Sequence, residues 1–313
     1  MTKTTATQVV RRRAPLLSYK KRESLGGLLF LVPALIGVGL LVFFPLVQAF
    51  LQSLTAPTGG FVSGSEFVGL QNYADIFSDS SIRFLLINSF FWTFFVVLGQ
   101  NIIGFALALV FNAKWSLSGL LRAILVLPWV IPGVVAAILW RFMYDPQLGL
   151  VSSVLERIFG PELGQSQFLA DPATALAAVI IAAIWKGFPF AFLIYLAGLQ
   201  NVDRSQVEAA LMDGASFLRI VRSVIIPALR PVMVLTLLLT AIFTFNYFDM
   251  IWVATRGGPL NATHIFPTFI FQTGFGQFRF EMAAAYGILA FAVLLILLIP
   301  YLRHSLRAEK EED

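Results

Sequence analysis

Lys186 stands in the middle of an apolar run, flanked by Ile184-Trp185 and Gly187-Phe188-Pro189. An ammonium group in hydrocarbon is costly unless it is paired or opens to a water-filled cavity. Two kinds of chemistry follow. The amine can pair with a carboxylate of the chain, such as Asp249. Alternatively it receives an anionic group of a solute, such as a phosphate, sulfonate or carboxylate. Pro189 withdraws a backbone donor nearby, which predicts a local helix distortion and backbone groups free to line a cavity. Thr240, Thr244 and Tyr247 follow one another at spacings of four and three, which puts three hydroxyl groups on one helical face. Asn88, Gln100 and Asn101 have the character of interhelical hydrogen-bonding groups. Asn246 is also polar within a span. Asp249 lies toward the outer end of its span, where solvation or pairing with Arg256 would satisfy it.

Other chemistries are excluded or left without support. The chain has no cysteine, so disulfides, thiol catalysis and cysteine metal sites are out. Its two histidines, His264 and His304, are far apart, and no metal site is expected. No GxxxxGK[ST] phosphate loop occurs, so a nucleotide-driven process would need its ATPase on another chain. A membrane-embedded transferase would need convergent carboxylates or histidines, whereas Glu66, Asp75, Asp79, Asp145, Glu156, Glu162 and Asp171 are scattered over the outer loops. An ion-coupled secondary transporter would need several intramembrane ionisable groups and often inverted repeats. Only Lys186 and Asp249 qualify, and no tandem repeat is found.

These residues are positioned by membrane helices. Of 313 residues, 12% are charged and 58% apolar, against about a quarter charged for soluble domains. Six predominantly apolar spans are predicted at roughly 25–50, 84–111, 120–143, 174–199, 225–252 and 281–302. Each suits a hydrocarbon core of about 30 Å at about 1.5 Å per residue. Lipid offers no partner to an exposed strand edge, so the fold class is an all-α integral membrane protein.

Lys and Arg side chains orient it. With the N-terminus inside, sixteen fall on inner segments; only Arg83, Arg141, Arg157, Arg256 and Arg279 fall outside, and Lys186 lies within a span. Both termini are therefore cytoplasmic, and the net charge of +5 reports orientation rather than affinity for nucleic acid. The chain divides into an N-terminal tail (1–24), a permease domain (25–303, core 84–303) and a C-terminal tail (304–313). The tail precedes an apolar run too long for a secretory signal. Leu70–Phe77 has amphipathic spacing and lies along the outer membrane surface or packs as a loop helix.

Between spans four and five lies a polar stretch, Val207–Pro231. Ser205–Phe217 reads as a short cytoplasmic helix, with Asp203 or Ser205 as cap, Gln206 and Glu208 at the positive dipole end, and Gly214 to end it. Such a helix either docks into a groove on a partner or anchors the loop at the interface.

Glu208-Ala209-Ala210, three residues, Gly214, nine residues, then Val224-Ile225-Ile226-Pro227 resembles the EAA loop, EAA-x3-G-x9-I-x-L-P, of ABC-transporter permeases. Val224 and Ile226 are conservative departures. Leu125–Pro132 (LVLPWVIP), Ile184–Phe190 (IWKGFPF), Ala197–Val202 (AGLQNV) and Phe248–Thr263 (FDMIWVATRGGPLNAT) narrow the likeness to binding-protein-dependent sugar permeases related to the maltose permease. The resemblance implies a non-catalytic subunit of an ATP-driven importer in a bacterial inner membrane. It implies a second permease subunit, an ABC ATPase dimer that uses ATP and Mg, an extracytoplasmic solute-binding protein and membrane lipid as partners, with no cofactor of its own. It assigns coupling to Glu208 and Gly214, with Ala209, Ala210, Asp213 and Ala215 as neighbours. It assigns solute contact to Trp129, Lys186, Gly187, Phe190, Thr240, Thr244 and Tyr247. The implied cargo is a carbohydrate or a derivative, an anionic glycoside among the possibilities.

Overall fold

The computed structural model describes residues 31–58, 64–112 and 118–312. Residues 25–30 of the first predicted span, and with them the N-terminal tail, fall outside the described residues. The chain separates into two compact units, Met1–Leu51 and Gln52–Asp313. The first consists, as described, of most of helix α1 (Leu31–Ser53), 23 residues long and apolar enough to cross a membrane. Helix α2 (Gln71–Ser78) opens the helical part of the second unit.

Five further spans follow in the second unit. The first four are α3 (Ser81–Phe111), a bent pair α4 (Ser118–Val130) and α5 (Gly133–Met143), α7 (Ala175–Leu199), and a long path from Phe217 to Thr255. The amphipathic α6 (Leu150–Phe159) lies in the outer loop between α5 and α7. The long path comprises one turn at Phe217–Ile220, a π-helical turn at Val221–Ile225, α9 (Ile226–Phe245) and α10 (Asp249–Thr255). It is preceded by the cytoplasmic helix α8 (Arg204–Met212) and followed by α11 (Phe266–Phe271) and the last span, α12 (Phe280–Glu312). The described residues thus hold five helices able to span, six with the bent pair counted as one.

Small residues let α3 and α7 approach closely, as membrane helices do. A β-carbon on Gly104 would lie 2.7 Å from the Phe192 backbone nitrogen. Polar side chains then cross-link the spans. Gln100 Nε2 donates to the Ala183 carbonyl at 3.1 Å, and Asn101 Nδ2 donates to Thr240 Oγ1 at 3.0 Å. Tyr195 Oη donates to Asn101 Oδ1 at 2.5 Å, and Trp92 Nε1 to the Thr244 carbonyl at 2.9 Å. The interhelical role read for Gln100 and Asn101 is what the structure shows; Asn88 reaches the Asn261 carbonyl of the outer loop at 3.2 Å.

Four expectations need correction. The third span is not one helix: it breaks between Val130 and Gly133 and turns by 95°. Pro128 removes a donor inside α4 and Pro132 caps α5 in an extended conformation, so the chain cannot continue as a helix there. By contrast Pro189 sits within an unbroken α7, so the predicted distortion occurs in the neighbouring span. The fifth span starts earlier, at Phe217, and breaks at Asn246–Phe248. The last helix runs past its predicted end at 302 as far as Glu312, where the Arg-Ala-Glu-Lys-Glu-Glu run favours helix.

The outer loops add small structures. Thr55–Pro57 pairs antiparallel with Ser65–Phe67, a two-stranded exception to an all-helical reading. α2 buries Asn72 and Ile76 against the bundle, and Asn72 Nδ2 donates to the Ser53 and Thr55 carbonyls at 2.8 Å each, so it is a packed loop helix. In the Gly257-Gly258-Pro259 loop, His264 is 3% exposed, its Nδ1 lies 3.1 Å from Thr268 Oγ1, and burial pushes its imidazole pKa down. Among the described residues no cluster of three potential metal ligands exists.

Candidate solute cavity and coupling surface

The break in the third span exposes backbone groups at the end of α4, since the last carbonyls of a helix have no partner within it. One of them, the Trp129 carbonyl, accepts a hydrogen bond from Lys186 Nζ at 2.8 Å. Lys186 therefore has an acceptor, but not the carboxylate considered for it. It forms no ion pair with Asp249, and Asp249 forms none with Arg256, so both pairings drop out.

Trp129 and Phe190 face one another with ring centroids 6.1 Å apart, and Phe190 packs edge-on against Phe243 at 5.6 Å. Gly187 brings the α7 backbone against Gln100, whose amide occupies the space that a side chain would need. These groups border a cavity of about 250 Å³ lined by Gln100, Trp129, Gly133, Lys186, Gly187 and Phe190. Thr240, Phe243, Thr244, Tyr247 and Asp249 complete the lining. All seven residues singled out in sequence for solute contact lie on this one cavity.

The hydroxyl groups are not equivalent. Thr240 Oγ1 donates to the Thr236 carbonyl at 2.8 Å and accepts from Asn101, so it is committed to the protein. The Thr244 hydroxyl, the Tyr247 phenol and the Asp249 carboxylate make no hydrogen bond to any described residue, which leaves them available to a ligand. Tyr247 lies beyond the end of α9, inside the break at Asn246–Phe248, and faces the cavity without continuing the helix.

Gly133 and Phe243 were not read as cavity residues from sequence; Gln100 was read as a helix-joining group, and Asp249 as a polar group satisfied by solvent, Arg256 or Lys186 and not as a solute contact. For Asp249 no periodic signal existed: two residues after Tyr247, it would point away on a continuous helix. Only the break turns both toward the same space.

The cavity opens onto a face that the described residues of the second unit leave exposed. Trp129 is 47% exposed and Phe243 59%. A charged amine and a carboxylate bordering lipid directly would be expensive.

On the cytoplasmic side, α8 buries none of its residues. Asp203 Oδ1 accepts from the Ser205 backbone N–H at 2.9 Å, and this bond holds the Asp203 carboxyl below its ordinary pKa. At the other end Gly214 takes φ +73°, with its N–H on the Leu211 carbonyl and the Ala215 N–H on the Ala210 carbonyl, both at 3.0 Å. That pair of bonds is the Schellman arrangement, which needs a residue at ease in the left-handed region. The observed helix ends at Met212, short of the predicted Phe217, because this cap stops it. Glu208, Ala209, Asp213 and Gly214 are exposed and Ala210 and Ala215 half-buried. Beside them Leu211, Met212, Phe217 and Leu218 are exposed by 57%, 88%, 69% and 72%.

A membrane bundle with a polar cavity among its broken spans and an exposed helix on its cytoplasmic side defines a transmembrane permease. Residues 100–307 match the family described as the binding-protein-dependent transport system inner membrane component, and the chain belongs to it. It is the non-catalytic, multi-pass membrane component of an ABC importer, with ATP hydrolysis on a separate subunit. That membership sets aside the ion-coupled carrier and the transferase.

The chain is 34% identical over 287 residues to the trehalose/maltose transport system permease protein MalF of Thermococcus litoralis, covering 91% of this chain and 95% of that one. It is 30% identical over 284 residues to the sulfoquinovosyl glycerol transport system permease protein SmoG of Agrobacterium fabrum, covering 90% of each. Its fold matches a chain in the crystal structure of a bacterial ABC transporter that imports the acidic polysaccharide alginate. The TM-score is 0.77 at 21% identity, with 94% of this chain and 99% of that one covered.

Proposed function

We propose that the cavity around Lys186 and Tyr247 is the solute site, and that the cargo is a carbohydrate derivative bearing an anionic substituent. The observation that carries this reading is the convergence of aromatic faces, free hydroxyls and one cationic group in a single cavity. Trp129, Phe190 and Tyr247 supply faces for the apolar side of a sugar ring. Thr244 and Tyr247 bond its hydroxyls, and Lys186 meets a sulfonate, phosphate or carboxylate. Relatives named for trehalose/maltose and for sulfoquinovosyl glycerol support a glycoside.

The partners follow from exposed surfaces. A second permease subunit covers the open side of the cavity. An ABC ATPase dimer, the component that uses ATP and Mg, receives α8 through Glu208 and Gly214, with Ala209, Ala210, Asp213 and Ala215 shaping the contact. A solute-binding protein delivers cargo from outside; a transporter of the same fold has been solved in complex with its ligand-bound periplasmic protein. Residues 25–303 form the permease domain, with core 84–303, between the tails 1–24 and 304–313, in a bacterial inner membrane.

The test is uptake of paired neutral and acidic glycosides by the complete importer carrying Lys186→Ala. Loss of about ten-fold or more is expected for the acidic member alone, in line with the loss of a charged hydrogen bond. Equal loss of both removes charge recognition from Lys186.

A further inference from the structure

Asp249 is the one cavity-lining group whose charge opposes that of Lys186. It lies in the first turn of α10, just past the break at Asn246–Phe248. Its carboxylate has neither a hydrogen bond nor an ion pair among the described residues. The wall it faces is Gly133, the first residue of α5 after the other break. A β-carbon there would lie 3.0 Å from Asp249 Oδ2 and 3.5 Å from the Tyr247 phenol oxygen. The carboxylate and the phenol thus converge over a wall position that carries no side chain. Two broken spans are needed to bring these three residues together.

A carboxylate whose oxygens are not used by the protein, at the edge of a cavity, is an acceptor waiting for donors. Adjacent ring hydroxyls of a sugar present two donors at a spacing that both carboxylate oxygens can take. Lys186, held on the Trp129 carbonyl, keeps two of its three N–H donors for an anion. The two ends therefore make opposite demands on the solute.

We propose that Asp249 is a specificity-determining residue of this cavity: it accepts hydrogen bonds from a pair of ring hydroxyls of the solute, with Gly133 providing the clearance. The inference rests on reading the cavity as the solute site. The ligand class it defines is a glycoside with a single anionic group at one end and free adjacent hydroxyls at the other. A second anionic group at the Asp249 end is repelled, and an ether there has no proton to give. A site built to bond a hydroxyl discriminates strongly against the analogue that lacks one, because its own polar group is left unpaired.

The experiment uses the whole importer in vesicles at saturating solute-binding protein, with uptake normalised to the transporter inserted. The probes are a sulfonated glyceryl glycoside and its ring mono-methyl ethers. For each probe the ratio of variant to wild-type uptake is taken, so that the preference of the binding protein cancels. For Asp249→Ala and for Gly133→Ala the free-hydroxyl glycoside is expected to lose about ten-fold or more, while one of the ethers changes less than about three-fold. Asp249→Asn, which keeps the volume but weakens the acceptor, falls between. Equal loss for all probes reduces Asp249 to a structural role and overturns the proposal, as does no loss for any.

Lys186→Gln, assayed in parallel on neutral and acidic glycosides, separates this inference from the one beneath it. If acidic and neutral uptake fall alike while the ether ratio still responds at Asp249, the anion reading fails and the hydroxyl reading stands. If the ether ratio is flat while Lys186→Gln discriminates, the reverse holds.

Discussion

The coupling surface and the solute cavity are built on opposite plans. The coupling surface is one short helix whose start, face and stop are written within about a dozen consecutive residues, from Asp203 to Ala215. The cavity takes residues from α3, α4, α5, α7, α9 and α10, and two of its walls exist only because spans break. The first has no buried residue and is, on the proposed reading, a surface for a partner; the second is assembled by the packing of its own chain and left open on one face. A change at the coupling helix should therefore lower transport of every solute by the same factor, whereas a change in the cavity should alter which solutes pass.

The largest expected effect tests the first half of that contrast. Gly214 holds φ +73°, and a side chain there costs about 1–2 kcal/mol in the left-handed region before any contact with a partner is considered. Gly214→Asp is expected to weaken the cap, since Asp tolerates the left-handed region less well than Gly, and chiefly to put a negative charge where the ATPase would dock. Glu208→Lys reverses a charge on the same exposed surface. Both should bring uptake close to background, about a hundred-fold down, while the protein remains inserted at ordinary levels. Uptake of several unrelated glycosides together with immunodetection in membranes checks this. Normal uptake in both variants, or loss that depends on the solute, would break the division of labour.

The same contrast explains what could be read before the structure. Caps are local, so Asp203 and Gly214 announce α8 in sequence, and only its C-terminal end was overestimated. Orientation was legible because Lys and Arg lie mostly on one side. Periodicity put Thr240 and Thr244 on one helical face, and their place in the cavity, like that of Trp129, Gly187 and Phe190, was legible only through likeness to known permeases. Asp249 and Gly133 were not, because their meeting depends on the breaks at Val130–Gly133 and Asn246–Phe248. A proline in an apolar run does not say whether the helix will yield: Pro189 sits in an unbroken α7, whereas Pro128 and Pro132 together end a helix. The commitment of Thr240 Oγ1 to Thr236 and Asn101 likewise had no signature in the sequence.

An intermediate effect probes the cavity side. Gly187→Ala places a methyl group against the Gln100 amide, which also lines the cavity and bonds the Ala183 carbonyl. Overpacking of this kind costs about 1–3 kcal/mol and moves the neighbour. Uptake should fall by roughly ten-fold, unevenly among glycosides of different size. A uniform loss across solutes would place Gly187 with the structural glycines of the α3–α7 contact, such as Gly104, and sharpen the boundary of the cavity.

The smallest effect returns to the coupling helix. Asp203 is fully exposed, and its contribution is one bond to the Ser205 N–H, a cap that orders the first turn of α8. Since the bond holds its carboxyl below the ordinary value, the cap is fully present above the usual carboxylate range and is lost only as the cytoplasmic side is acidified through the lowered pKa. Asp203→Ala removes it at all pH values. Uptake should drop by no more than about two-fold, equally for neutral and acidic solutes, and Asp203→Ser or Asp203→Asn should restore it because both can cap. Transport measured at neutral inner pH with the Ala, Ser and Asn variants decides the matter. A drop confined to one class of solute would mean that α8 influences the cavity directly, and the two regions would no longer be separable.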